Sequence, residues 1–274
     1  MDTVKKVAVV TGGASGIGRA ICNELIQQNV FVIISDINEQ AGRDLEAKLN
    51  EETLRARYVY LDVTDYDHVE KLLTHIYEEF GRIDYLFNNA GIAMYGELYD
   101  LTMEHWKEIM DVNLWGVING TQVGYKLMKK QGFGHIVNTS SAAALGPSPG
   151  SAAYATTKHA VVGLTTSLHY EAEEFGIKVS VLCPTFVDTP IFEDAKAINI
   201  NKTVMTQQLK KQKMMSPEKL AKLALKGVHS NKPIICPMPM RRTMDIFFTL
   251  FPPAHRALMR LVCKVSRKAR IVEH

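Results

Sequence analysis

Tyr154 and Lys158 are four residues apart in a stretch, 152–175, whose pattern is helical, so both side chains project from one face. A free tyrosine has a pKa near ~10 and is a poor base at neutral pH. A neighbouring ammonium favours the phenolate and lowers that value. A tyrosine tuned in this way can take a proton from a hydroxyl or return one to a carbonyl oxygen, which is typically worth ~10² to 10⁴-fold in rate. The Tyr-x-x-x-Lys spacing arises by chance in many sequences, and a buried packing tyrosine is the bland alternative. His159 and His169 lie in the same stretch and read as ordinary helix residues.

A second chemical signal lies near the start of the chain. The apolar run Val7–Thr11 leads into Gly12-Gly13-Ala14-Ser15-Gly16-Ile17-Gly18 and then a helical pattern. Glycines permit a tight turn and a close approach of backbone to a pyrophosphate, while the helix N-terminus offers free N–H groups and a partial positive charge. Gly12, Ser15, Gly16, Ile17 and Gly18 are therefore candidate phosphate-side residues. Eighteen residues past Gly18, at the end of the second apolar run, stands Asp36. A carboxylate there accepts hydrogen bonds from the adenosine ribose hydroxyls and repels a 2′-phosphate, and Ile37 and Asn38 supply no arginine to hold one. NAD is favoured over NADP. The competing role for Asp36 is a helix N-cap.

These residues need a scaffold. Short β-branched runs at Val7–Thr11, Val30–Ser35, Arg57–Leu61, Tyr85–Asn88, His135–Thr139, Lys178–Cys183 and Pro233–Cys236 alternate with amphipathic stretches. The clearest helices are 16–28, 38–50 and 152–175. This alternation predicts repeated βαβ units in an α/β fold, a doubly wound, Rossmann-like parallel sheet of about seven strands in one domain. The segment 185–216 shows no strand pattern, is polar with embedded methionines, and is expected to be a mobile flap over a substrate. Residues 1–237 form the expected catalytic domain, and 238–274 a basic amphipathic extension.

With these motifs in hand, the chain resembles the short-chain dehydrogenase/reductase family from about Lys5 to Cys236. The Thr-Gly-x-x-x-Gly-x-Gly spacing of residues 11–18 is that of the single-domain branch. The resemblance implies that Asp62 and Val63 contact adenine and that Asn89, Ala90 and Gly91, following Asn88, close the adenosine side. It implies a catalytic tetrad of Asn113, Ser141, Tyr154 and Lys158, with Ser140 as an adjacent candidate that the family spacing disfavours. Lys158 would also hold the nicotinamide ribose, whose positive ring would further favour the phenolate. Ser141 would fix the substrate oxygen, and Asn113 would support a water relay. The segment Pro184–Thr189, with Val187 and Thr189, would lie beside the nicotinamide, although Thr185 replaces the family's usual glycine. The family also implies a homodimer or homotetramer. Six motifs in the right order across two hundred residues carry far more weight than any one of them.

The expected activity is NAD-dependent interconversion of a secondary alcohol and a ketone. The alternatives are an NADP-preferring carbonyl reductase, or a nucleotide-sensing or scaffold protein that kept the fold and lost the activity. Ala142, Ala143, Leu145, Met94, Tyr95, Phe186 and Phe192 are expected around the substrate, and their low charge points to a lipophilic compound such as a steroid, a retinoid or a long-chain molecule. At 46% apolar and 22% charged, the 274 residues have a globular composition. No run is long enough to span a membrane. The Met1–Val10 start, two lysines before four apolar residues, reads as a strand rather than a signal peptide. Cys22, Cys183, Cys236 and Cys263 show no metal-ligand spacing and read as reduced thiols of a cytoplasmic protein, with no metal site.

Charge is unevenly distributed. The net charge is +3, yet from Arg241 onward Arg241, Arg242, Arg256, Arg260, Lys264, Arg267, Lys268 and Arg270 face only Asp245 and Glu273, a net of +6 that leaves −3 for the rest. A basic tail is indicated, and a general nucleic-acid-binding surface is not. Leu258, Leu261, Val262 and Val265 recur at helical spacing beside a basic face, downstream of the apolar run Ile246–Phe251. Such a helix can lie on an anionic membrane; the preferred reading is that it packs across a dimer interface or over the pocket.

Overall fold

The computed structural model describes residues 6–210, 212–238 and 241–271. Met1–Lys5 and Glu273 fall outside these residues, as do the side chains of Arg241, Arg242 and Asp245. Seven parallel strands form the central sheet: β1 (Val7–Thr11), β2 (Phe31–Asp36), β3 (Ala56–Tyr60), β4 (Tyr85–Asn88), β6 (Gly134–Thr139), β7 (Ile177–Leu182) and β9 (Ile234–Ile235), in the order β3-β2-β1-β4-β6-β7-β9. All seven expected strands are present, most within a residue of their expected ends.

The alternation of side chains along each strand builds two cores. Ala8, Val10, Val32 and Ile34 pack under α1 (Gly16–Gln27), with Ile21 and Leu25, and under α9 (Pro217–His229), with Leu225 and Val228. Val7, Val9, Ile33, Leu86 and Ile136 face α3 (Tyr66–Phe80) and α5 (Gly116–Gln131) on the other side. Helices on both faces are what a parallel sheet requires. Helix α2 (Glu39–Leu49) begins at Asn38, whose side chain accepts from Ala41 N at 3.1 Å. The N-cap is therefore Asn38, which leaves Asp36 for another task.

Three features escape the sequence pattern. A two-stranded parallel pair, β5 (Met94–Tyr95) with β8 (Lys196–Ala197), links the region after β4 to the segment 185–216. That segment, expected to lack strands, thus contains β8 together with α7 (Ile191–Asp194) and α8 (Lys202–Lys210). Two-residue strands are too short to show an alternation. The third feature lies between α4 (Met103–Met110) and α5, where Asp111–Trp115 forms a π-helical turn. Such widened turns concentrate at functional sites, and this one carries Asn113. The remaining long helix, α6 (Ala152–Glu171), is followed by a 3-10 turn, Glu173–Phe175. The tail forms α10 (Arg241–Leu250) and α11 (Pro252–Ser266).

One buried histidine makes the fold sensitive to acid. His135 on β6 is 4% exposed, and its Nε2 lies 2.9 Å from Ser180 Oγ on β7. The Ser180 hydroxyl donates to Lys232 O, so it accepts from His135 Nε2–H. Burial first, then Lys178, His169 and His229, push the His135 pKa from 6.5 down to about 3. In that window the unfolded chain binds a proton that the folded chain refuses, so stability falls as pH drops below 6.5. The melting temperature should decline on acidification below that value, and His135→Gln, which keeps a donor without the titration, should show a shallower decline.

Candidate active site

Between β1 and β4 the chain switches from building the sheet in one direction to building it in the other. At such a point the loops leaving the strands' carboxyl ends diverge and open a crevice. Thr11 holds the two sides of this crevice in register. Its hydroxyl donates to Phe87 O and accepts from Asn89 N at 2.9 Å and Ala90 N at 3.1 Å. Asn89 returns the contact, its Nδ2 donating to Thr11 O at 3.1 Å and Gly12 O at 3.3 Å, while its Oδ1 accepts from Thr139 Oγ1.

The glycine turn is held by the same economy of space. At Gly18 a Cβ would lie 2.0 Å from Gly12 O and 2.7 Å from Asn89 Nδ2, so only glycine lets α1 start this close to the turn. Gly16, with φ of +48°, lies against Thr189, where a Cβ would come within 3.2 Å. Asp36 closes the far side: Oδ2 accepts from Ala14 N at 3.0 Å and Oδ1 from Asn38 N at 2.9 Å. Asp62 Oδ1 accepts from the Thr64 N–H and hydroxyl.

One cavity of about 1290 Å³ runs along this crevice. It exceeds the ~300–1,000 Å³ common for a single small ligand. One end is lined by Asp36, Ile37, Asp62 and Val63; the middle by Gly12, Ser15, Gly16, Ile17, Asn89, Ala90 and Gly91; the other end by Ser141, Tyr154, Lys158, Val187 and Thr189. All but two of the residues expected from sequence to touch cofactor or substrate oxygen therefore line it. Gly18 and Asn113 are the exceptions, packed directly behind the wall. Among the described lining residues the only cations are Lys158 and Lys268; there is no arginine.

At the Tyr154 end the polar groups are tightly shared. Ser141 stands beside Tyr154 and favours its ionised form, its Oγ accepting from Ala143 N at 3.1 Å, whereas the Ser140 hydroxyl donates to Lys158 O at 2.7 Å and anchors α6. Lys158 Nζ donates to Thr139 O at 3.1 Å and sits 5.7 Å from the centre of the Tyr154 ring. Asn113, fully buried on the π-helical turn, accepts from Ile92 N and donates to Ile92 O, both at 2.8 Å. It thereby pins the backbone next to Gly91, where a Cβ would meet Asn113 Oδ1 at 3.2 Å and Lys158 Nζ at 3.3 Å.

The proton affinities differ from the simple expectation for a Tyr–Lys pair. Burial raises the Tyr154 pKa, with Ser141 opposing it, and burial lowers that of Lys158 from 10.5 to about 8. Desolvation disfavours the charged form of each group, so the protein groups alone do not produce the phenolate expected from sequence.

Of the residues expected around the substrate, Tyr95, Ala142, Ala143, Phe186 and Phe192 line the cavity. Met94 and Leu145 do not. Met94 points to the opposite side of β5 from Tyr95 and packs with Ile109 and Ala153, and Leu145 packs against Val117, Val161 and Val181. His159 and His169 do not line it either; they bond Ala155 O and Val179 O respectively. Segment 185–216 is pinned where it starts and ends, through Met215 N donating to Phe186 O and Asp188 N to Met215 O. Part of the wall comes from the tail, through Leu261, Val262, Val265 and Ala269. Arg267 and Arg270 bond Glu97, Arg270 also bonds Asp100, and the 199–201 backbone pairs with Ala269 and Ile271. The spacing of α11 revealed an apolar face, and packing over the pocket was one of the two placements preferred for it; the structure puts Leu261, Val262 and Val265 in the cavity wall.

The doubly wound sheet and a nucleotide-sized cavity with a Ser-Tyr-Lys cluster at one end define a class of protein, and comparison with known proteins gives its family. The short chain dehydrogenase family matches residues 6–199. An uncharacterized oxidoreductase of Staphylococcus epidermidis is 36% identical over 189 residues, covering 69% of this chain and 81% of the relative. The NAD(+) 15-hydroxyprostaglandin dehydrogenase of Mus musculus is 36% identical over 195 residues, covering 69% and 70%. The crystal structure of a short chain dehydrogenase/reductase from Burkholderia phymatum in complex with NAD superposes with a TM-score of 0.81 at 28% identity, covering 89% and 92%. The chain belongs to the short-chain dehydrogenase/reductase family of oxidoreductases.

The Thr11 clamp can be tested directly. Thr11→Val keeps the side-chain shape and strands the Asn89 and Ala90 N–H groups at a buried site. It should cost ~1–3 kcal/mol in urea unfolding and weaken dinucleotide binding in the same variant.

Proposed function

We propose that the protein interconverts a secondary alcohol and a ketone of a lipophilic substrate, using NAD. The observation that carries this reading is the single cavity joining Asp36 at one end to Ser141, Tyr154 and an apolar wall at the other. The residues present fit a dinucleotide. The glycine turn leaves backbone bare along the middle of the cavity, and Asp36 keeps carboxylate lone pairs for ribose hydroxyls after accepting one N–H on each oxygen. With no arginine among the described lining residues to bind a 2′-phosphate, NAD is preferred over NADP. The NAD(+) 15-hydroxyprostaglandin dehydrogenase of Mus musculus and the Burkholderia phymatum structure in complex with NAD agree with that preference.

NAD, when bound, supplies the hydride acceptor for oxidation and the donor for the reverse reaction. Tyr154 Oη takes the alcohol proton, or returns it to the ketone oxygen, and Ser141 orients that oxygen. Lys158 would hold the nicotinamide ribose, and its ammonium, 5.7 Å from the centre of the Tyr154 ring, favours the phenolate through its charge. Asn113 acts by fixing the Ile92 backbone beside Gly91. Phe186, Phe192, Ile191, Leu261 and Val262 surround the rest of the substrate and favour an apolar body over a charged one.

Tyr154→Phe should abolish turnover of any active lipophilic secondary alcohol, followed by absorbance of reduced cofactor, while NADH titration shows unchanged binding. Retained turnover would overturn the assignment. Wild-type protein should bind NADH more tightly than NADPH, and Asp36→Ala should narrow the gap by roughly 1 kcal/mol or more, the scale of a lost hydrogen bond to a charged acceptor. Tighter NADPH binding by the wild type would refute the role of Asp36.

A further inference from the structure

The tail covers the cavity with one side and presents a different surface with the others. In α11, Val262 faces the cavity wall, and Ala269 just beyond the helix is buried. Leu258, Leu261 and Val265 form a neighbouring stripe that stays exposed, Leu261 by 57%. Ile246, Phe247 and Leu250 in α10 are exposed too, as is Phe251 between α10 and α11, with the Phe247 and Phe251 rings 5.1 Å apart. Of the nineteen exposed large apolar side chains among the described residues, eight fall in this terminal stretch, 246–271. Leu261 and Val265 also line the cavity, so the apolar surface continues into its mouth. Contiguous exposed apolar surface of this kind marks a binding face.

Charge selects the occupant. Arg256, Arg260 and Lys264 recur every fourth residue of α11, all exposed, beside the apolar stripe. No carboxylate pairs with them among the described residues. The segment from Arg241 carries +6 while the rest of the chain sums to −3. A two-fold interface between copies of this face would bring like charges together. Apolar side chains flanked by cations on a helix lying flat are what an anionic bilayer surface attracts.

We propose that α10 and α11 dock the protein on an anionic lipid bilayer, with Phe247, Leu250, Leu258 and Leu261 entering the interface and Arg256, Arg260 and Lys264 meeting the headgroups. The cavity mouth at Leu261 and Val265 then opens at the lipid surface, where a lipophilic substrate is concentrated. The delivery role rests on the function proposed above; the docking does not.

The test is sedimentation of the full chain with vesicles of phosphatidylcholine, with and without phosphatidylglycerol, in the absence of substrate. Wild-type protein should pellet with the phosphatidylglycerol vesicles, and added salt should release it. Arg256→Glu/Arg260→Glu/Lys264→Glu should weaken binding by ~10²-fold or more, given the contribution expected of each basic residue near such a surface. Phe247→Ser/Leu250→Ser should weaken it independently, and both variants should keep the wild-type far-ultraviolet spectrum and melting curve because the altered side chains are exposed. Wild-type protein that stays in the supernatant, or binding that neither variant weakens, overturns the proposal. So does wild-type self-association abolished by Phe247→Ser/Leu250→Ser without vesicle binding, which assigns the face to a second copy. None of these measurements involves turnover, so an inactive enzyme that binds vesicles would refute the reaction and leave the docking standing.

Discussion

The reversal of strand order between β1 and β4 is the constraint on which the rest of the molecule depends. Parallel strands alone would leave the carboxyl ends of these two neighbours to diverge into solvent. Thr11 and Asn89 prevent it by spending nearly all their hydrogen-bonding capacity on each other's loops. The crevice thus has a rigid floor, and the glycine turn and the start of α1 can approach within distances that exclude a Cβ. A second buried polar chain extends the bracing away from the crevice. Asn88 donates to Thr121 and Asn138, and Asn138 donates to Thr165, tying β4 and β6 to α5 and α6. Buried polar networks cost desolvation where they are unpaired and enforce one arrangement where they are paired; in this one Asn88 Oδ1 is left without a partner while the Asn88 and Asn138 amide nitrogens are both engaged. Here that arrangement sets the position of α6, the helix carrying Tyr154 and Lys158.

Low dielectric surroundings then govern the chemistry proposed for that helix. The same burial that pushes the Lys158 pKa down pushes that of Tyr154 up. Both groups are drawn toward their neutral forms, and their proton affinities are driven apart. An added positive charge near them would favour the phenolate, which makes the proposed cofactor part of the acid–base machinery as well as the redox partner. Asn113 contributes by geometry: a π-helical turn directs a fully buried amide at the backbone between the cofactor side and the substrate side.

The substrate end is assembled from distant parts of the chain. The β5–β8 pair, the Met215 bridge and the arginines of the tail converge around it. The ion pairs of Arg267 and Arg270 with Glu97 and Asp100 are partly solvent-exposed, so each contributes little singly. Together with the backbone pairing at 199–201 and 269–271 they hold the end of α11 over the cavity. The tail therefore belongs to the cavity wall as much as to the outer surface.

By itself the sequence determined the sheet, the glycine turn and the candidate tetrad. These are encoded in local periods and short spacings: alternating β-branched runs, glycines placed between a strand and a helix, and Tyr154 one turn before Lys158. It could not separate neighbours whose fates depend on which way a strand or loop faces. Met94 and Tyr95 differ by one position and lie on opposite sides of β5, and Leu145 packs against α6 although Ala142 and Ala143, only three and two residues before it, line the cavity. Only the tertiary structure decided that Asn38 caps α2 and frees Asp36, that Asn113 rides a π-helical turn, and that residues 261–269 close a cavity begun two hundred residues earlier. The cap is a local bond spanning three residues; the other two depend on long-range contacts and burial, which no local pattern of residues records.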